Sequence, residues 1–162
     1  MKITNVMGPV ALAASLMGSA AFADVLKFAH VYEVGHPLQA AAEKAAELFE
    51  ERTEGRHSIE VFPASSLGKE TDLNEGLSLG TVDIIYTGAG FAGSFYGPAS
   101  MTDFPFTLRN LDHWKAYFGS DVFAEVARGY ADAPGGNEIA AVSYYGSRHV
   151  TANKPILTPE DM

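Results

Sequence analysis

The sequence has 162 residues, with 20 Asp+Glu against 11 Lys+Arg, a formal net charge of −9, five histidines and no cysteine. Nucleic acid and anionic lipid are poor partners for that balance, since both are bound through clustered Lys and Arg. The lack of cysteine excludes disulfides, thiolate metal sites and a Cys nucleophile. Such a length suits one domain with a real core.

Residues 1–23 read as a secretory leader: Lys2 supplies the positive start, Val6 to Ala20 an apolar stretch, and Ala21-Phe22-Ala23 a small-x-small cleavage site. Cleavage after Ala23 leaves Asp24 as the first residue and predicts export. Val25 to Ala29 is a β-leaning run, and Pro37 sits at a first helical position. From Leu38 to Arg52, Leu38, Ala41, Ala42, Ala45, Leu48 and Phe49 recur at spacings of three and four, which predicts an amphipathic helix stopped by Gly55. Ser58 to Phe62 alternates as a strand and Pro63 ends it; a second helix covers Glu70 to Leu79, stopped by Gly80. Val82 to Tyr86 is a third, nearly all-apolar strand.

This alternation predicts an α/β fold with a mostly parallel sheet and right-handed crossovers. Gly88 to Pro105 reads as irregular chain with one turn of helix, and loops of that length are usually functional. Two short helices follow, Leu111 to Phe118 capped by Asn110 and Asp121 to Tyr130 capped by Ser120, expected to bury Trp114, Phe118, Val122 and Val126. A fourth strand is expected at Glu138 to Tyr145, interrupted by Gly146-Ser147 before His149-Val150-Thr151. Thr158-Pro159-Glu160-Asp161 has the composition of a helix start. No helix follows it, so Met162 is read as a cut in a longer chain.

Gly88-Ala89-Gly90-Phe91-Ala92-Gly93 matches G-x-G-x-x-G, but Ser94 to Pro98 cannot sustain the helix that must receive a pyrophosphate, and the motif follows the third strand rather than the first. Close approach of backbone N–H groups to a ligand is the better use of these glycines. His30 with His36, and His149 with Asp161, lack metal-site spacing. Ser65, Ser66 and Ser143 lack a nucleophile elbow, and Glu50-Glu51 lies on the solvent face of a helix. No catalytic residue, cofactor or metal is therefore expected. Arg148 stands apart. It follows a glycine break after an apolar strand, and its planar guanidinium matches a carboxylate with charge-assisted bonds of about 1.5–3 kcal/mol each.

These residues resemble the periplasmic solute-binding proteins of TRAP transporters, the DctP type. The likeness rests on Leu26 to His30, Val61-Phe62-Pro63 leading to Ser66-Leu67-Gly68 and Glu70, Gly80 to Ile84, Phe104-Pro105-Phe106, Tyr145 to Arg148, and Lys154-Pro155-Ile156. It implies the first lobe of a two-lobed periplasmic-binding-protein-like fold at residues 24–145, with residues 146–162 opening an incomplete second lobe. It implies no enzyme but a monomeric binding subunit that catches a small organic acid in the periplasm and delivers it to membrane permease subunits. Arg148 would pair the ligand carboxylate, Glu70 would sit in the cleft, and Tyr32, Gly88 and Ala89 would line the same lobe. Without a partner lobe to exclude water, the chain alone is expected to bind weakly or not at all. A binding protein of an ATP-driven transporter, or an exported nucleotide-dependent oxidoreductase using Gly88 to Gly93, are the alternatives.

Overall fold

The computed structural model describes residues 24–161; the leader read at residues 1–23 lies outside them. Strands β1 (Asp24–Ala29), β2 (His57–Phe62) and β3 (Ile84–Ile85) form one parallel sheet in the order β2-β1-β3. β1 pairs with β2 from Asp24↔His57 to Ala29↔Phe62, and with β3 at Phe28↔Ile84 and Ala29↔Ile85. Helix α1 (Pro37–Arg52) connects β1 to β2, and α2 (Glu70–Ser78) connects β2 to β3. Because the chain steps first to one side of β1 and then to the other, right-handed crossovers put α1 and α2 on opposite faces. The expected α/β architecture is present, with a sheet shorter than the sequence suggested.

β3 is the shortened strand. Lys27 donates its backbone N–H to the Asp83 carboxylate (2.8 Å), and Asp83 N–H returns to the Lys27 carbonyl (3.1 Å), so a side chain replaces one rung of the ladder. The core lies between the sheet and α2, where Ala29, Leu73 and Val82 are packed by Val31, Phe62, Leu77 and Ile85. On α1, Gln39 and Ala42 are buried, whereas Ala41 and Ala45, expected inside, face outward. A methyl group carries too little apolar area to choose a helix face, and an apolar pattern cannot see Gln39.

After β3 come a four-residue helix, α3 (Ala89–Ala92), and a 3-10 turn at Gly97–Asp103. Next are α4 (Leu111–Phe118) and α5 (Asp121–Ala131), where Asn110 accepts from His113 N–H (2.9 Å) and Ser120 from Phe123 N–H (3.3 Å), as N-caps should. Tyr117 and Phe118 of α4 pack edge to face on Phe123 of α5, with Phe118–Phe123 centroids 4.6 Å apart, and Trp114 lies tilted against Phe118. Val122, expected inside, is 58% exposed, and Phe123 and Tyr130 fill the inner face instead.

The fourth strand expected at Glu138 to Tyr145 is not formed, nor is its continuation at His149 to Thr151. Both stretches are without regular secondary structure and, Ile139 apart, exposed. A strand requires an edge to pair with, and among the described residues this segment makes no backbone ladder with β2 or β3. The helix start at Thr158 takes the form of a 3-10 turn, Pro159–Asp161, in which the Asp161 carboxylate accepts from the Leu157 and Thr158 N–H groups (2.9 and 2.8 Å). No helix among the described residues is long and apolar enough to cross a membrane.

Candidate functional site

The strand order changes direction between β1 and β3, and the carboxyl ends of those strands open onto the crevice where α/β sheets bind ligands. From β1 the chain runs straight into His30 and Tyr32. Pairing with the β2 side continues past the strands: His30 N–H reaches the Phe62 carbonyl (3.0 Å), Ala64 N–H the Tyr32 carbonyl (2.9 Å) and Ser65 N–H the His30 carbonyl (3.1 Å). Ala64 and Ser65 hold left-handed backbone (φ 52° and 57°) to make these bonds. Such strained residues persist only where neighbours enforce them.

Glu70 enters from the first turn of α2. Ahead of it Gly68 has φ 128°, and a Cβ there would meet Asp72 Cβ at 2.8 Å, so only glycine fits. Asp72 reaches back to accept the Lys69 N–H (2.8 Å) and closes the turn. Glu70 Oε1 accepts the Gly88 N–H (2.5 Å) and the Thr87 hydroxyl (3.1 Å). Asn74 Nδ2, buried beside them, donates to the Glu70 carbonyl (2.7 Å) and to Thr87 Oγ1 (2.8 Å). The Gly88 amide, expected to approach a ligand, is thus taken by Glu70. Gly90 N–H is likewise taken by Asp103 (2.7 Å). Glu70 Oε2 accepts no hydrogen bond among the described residues.

Arg148 arrives on the irregular segment that follows α5. Asn137 ties its start to Ser78 Oγ (2.9 Å). Tyr144 packs on Trp114 (5.6 Å), while its neighbour Tyr145 approaches Tyr32 (5.9 Å) and His36 (6.2 Å, interplanar 15°). Gly146 then turns the chain with φ 110°, and Arg148 Nη2 reaches Asp103 Oδ1 at 3.4 Å, its side chain still 82% exposed. Asp103 therefore links Arg148 to the first turn of α3.

His30 is fully buried; its Nδ1 accepts the Tyr32 N–H (3.2 Å), which places the ring proton on Nε2. Burial holds its pKa below the ordinary histidine range, and the nearby Gln39 side chain offsets part of that effect. Nε2 and Gln39 Oε1 nonetheless remain without partners. The Tyr32 phenol is pushed up, by burial first and then by Tyr145, Glu70 and Tyr86, against the pull of Arg148, and stays a donor at neutral pH. One exposed cation, one carboxylate with a vacant oxygen and a group of ring faces can bind and orient an anion. No group of three His, Asp or Glu side chains stands close enough to hold a metal ion among the described residues. An adjoining recess of about 470 Å³ between α2 and α3, which shares Asn74 and Gly90 with this site and is lined also by Glu75, Phe91 and Phe95, presents no cation and does not suit an acid.

Residues 28–162 match the DctP family, bacterial extracellular solute-binding protein family 7. The chain belongs to this family. Among its relatives is a solute-binding protein of Roseobacter denitrificans, 32% identical over 161 residues, covering 96% of this chain and 48% of that protein. The sialic acid-binding periplasmic protein of Vibrio cholerae is 27% identical over 161 residues, covering 99% of this chain and 50% of the other. A crystal structure of the Roseobacter protein, a TRAP periplasmic solute-binding protein with bound L-galactonate, superposes with a TM-score of 0.62 at 29% identity over 68% of this chain and 36% of that one. The chain thus spans about half the length of the curated relatives it matches. The family consists of binding proteins rather than enzymes.

In this DctP-family chain the five residues singled out from the sequence fall in one region. Tyr32 follows β1, Glu70 opens α2, Gly88 and Ala89 begin α3, and Arg148 joins them through Asp103. Sequence reasoning missed Asp103, His36, Tyr86, Tyr145 as a site group, and Asn74. Tyr145 carried a signal, since it immediately precedes the glycine break before Arg148. Asp103 carried none: its role exists only because the turn at 97–103 folds back onto Gly90.

Proposed function

We propose that this chain supplies the ligand-catching lobe of an extracytoplasmic solute-binding protein, which captures a small organic acid and delivers it to the membrane permease subunits of a TRAP transporter. Arg148 pairs the carboxylate, while Glu70 and Tyr32 orient the rest of the molecule. Residues 24–145 form lobe I, residues 146–162 lead into lobe II, and hinge closure of the two encloses the solute. The leader is removed after Ala23 and the protein works in the periplasm as a monomer. The reading rests on one observation: an exposed arginine, held by Asp103, whose charge reaches the Tyr32 phenol that follows β1. The Roseobacter relative that holds L-galactonate and the Vibrio relative named for sialic acid support an acid as the solute.

Thermal shift of the purified protein against millimolar organic acids, with neutral sugars as controls, tests the reading, because ligand that binds only the folded state raises its melting temperature. Any stabilisation of the chain should come from acids and not from neutral sugars. Arg148→Ala should weaken acid binding by about tenfold or more. Equal stabilisation by neutral sugars, or unchanged acid affinity in that variant, would remove Arg148 from its role.

A further inference from the structure

We propose that removal of the leader after Ala23 completes a transition-metal site at the amino ends of β1 and β2, in which the freed α-amine and the carboxylate of Asp24 hold Cu2+ together with the imidazole of His57. The inference rests on the leader processing proposed above and is independent of the solute site, which lies at the other end of the same strands. Asp24 and His57 are the first residues of the two strands and direct partners in the parallel register. His57 Nδ1 stands 3.8 Å from Asp24 Oδ2, and both side chains are open to solvent. One metal ion fits that separation, because bonds of about 2.0–2.2 Å to nitrogen and to oxygen span about 4.2 Å at most. The Asp24 nitrogen is turned to the same side. Lys27 exchanges backbone bonds with Asp83 on the β3 side, whereas His30 donates to Phe62 on the β2 side. Backbone direction alternates along a strand, so Asp24, six residues before His30, turns its nitrogen towards β2 and His57.

His57 is fixed from behind. Thr53 Oγ1 accepts its N–H (3.3 Å) and donates to its carbonyl (3.0 Å), and its ring leans on Phe49 of α1 with centroids 6.3 Å apart. Arg56, the neighbouring cation, turns its Nε to the Thr53 carbonyl (3.0 Å), and among the described residues Asp24 has no ion-pair partner besides His57. With the leader attached, the Asp24 nitrogen is an amide, and two side chains alone make no metal site. Hydrolysis of the Ala23–Asp24 bond gives Ala23 a carboxylate and Asp24 an amine. Metal displaces the proton of that amine, which then closes a six-membered chelate ring with its own β-carboxylate. Two nitrogens and a carboxylate oxygen, with a position left for water, suit the tetragonal geometry of Cu2+, which binds such donors more tightly than Ni2+ or Zn2+.

Calorimetric titration with CuCl2 at neutral pH tests this on the protein beginning at Asp24, on the same protein retaining Ala21-Phe22-Ala23, and on His57→Ala and His57→Phe. The Phe variant keeps the packing on Phe49, and matching circular dichroism checks both folds. The protein beginning at Asp24 should bind Cu2+ at its tightest site at least about tenfold more tightly than the other three. Electron paramagnetic resonance of that complex should show two coordinated nitrogens, one of them lost in His57→Phe. Affinity unchanged in both His57 variants overturns the site and leaves Cu2+ to the amine alone or to other histidines. Unchanged affinity in the extended protein, or no Cu2+ uptake by the protein beginning at Asp24, overturns it equally. Mass spectrometry of the exported protein is a separate arm: a chain starting elsewhere than Asp24 overturns the leader processing, and with it the formation of the site on export, whatever the titration shows.

Discussion

His30 shows how one residue couples the fold to the site. It is the first residue past β1, is wholly enclosed, accepts a hydrogen bond at Nδ1 and has an unpaired Nε2. The folded protein resists protonating it, whereas the unfolded chain takes up a proton near pH 6.5. Below that pH the unfolded state binds more protons, so stability falls as the pH drops from about 6.5 towards the depressed folded value, and His30 contributes no slope above it. Urea unfolding from pH 7.5 to 5 should therefore show a decline that His30→Gln, which cannot titrate, makes shallower. An identical decline in the variant would place the pH dependence on the other histidines. Nothing in the sequence marks His30 as buried, since a lone histidine after a strand is ordinarily solvated. Arg148 was singled out for the opposite reason, as a long cation after a glycine break, and the structure pairs it with Asp103.

Among the elements, the helices were the most legible, because their signals are local. Pro37 at N1, Asn110 and Ser120 as caps, and the apolar spacing along each segment all operate within a few residues. Asn110→Ala and Ser120→Ala should each cost about 1 kcal/mol in chemical denaturation, the usual range for a lost N-cap. A cost near zero would mean that the aromatic packing of Trp114, Phe118 and Phe123 alone holds α4 and α5. Strands were less legible. β1 and β2 formed within a residue or so of expectation, β3 shrank to two residues, and the apolar run at Glu138 to Tyr145 joined no ladder among the described residues. A strand depends on its neighbour, and the 138–145 run is instead anchored by its own side chains, Tyr144 on Trp114 and Tyr145 on Tyr32 and His36.

At the scale of the whole molecule, a thin sheet is covered by a small core in which Leu73 is the largest fully buried aliphatic side chain. Leu73→Ala should destabilise by about 2–5 kcal/mol, a large share of the stability of a domain this size. Thermal melting should show the variant partly or wholly unfolded at 37 °C; a melting temperature within a few degrees of the parent would mean that the core collapses around the gap. The sequence by itself determined the order of strands and helices, the helix caps, the acidic charge and the candidacy of Arg148, because each is set by residues close together in the chain. Tertiary structure alone decided that Glu70 occupies the Gly88 amide, that Asp103 holds Arg148, and that Tyr32, His36 and Tyr145 lie nearly parallel. Apart from Tyr32 and His36, four positions apart, those contacts join residues 18 to more than 100 positions apart, and no local periodicity encodes which distant side chains a strand order of β2-β1-β3 will bring to one rim.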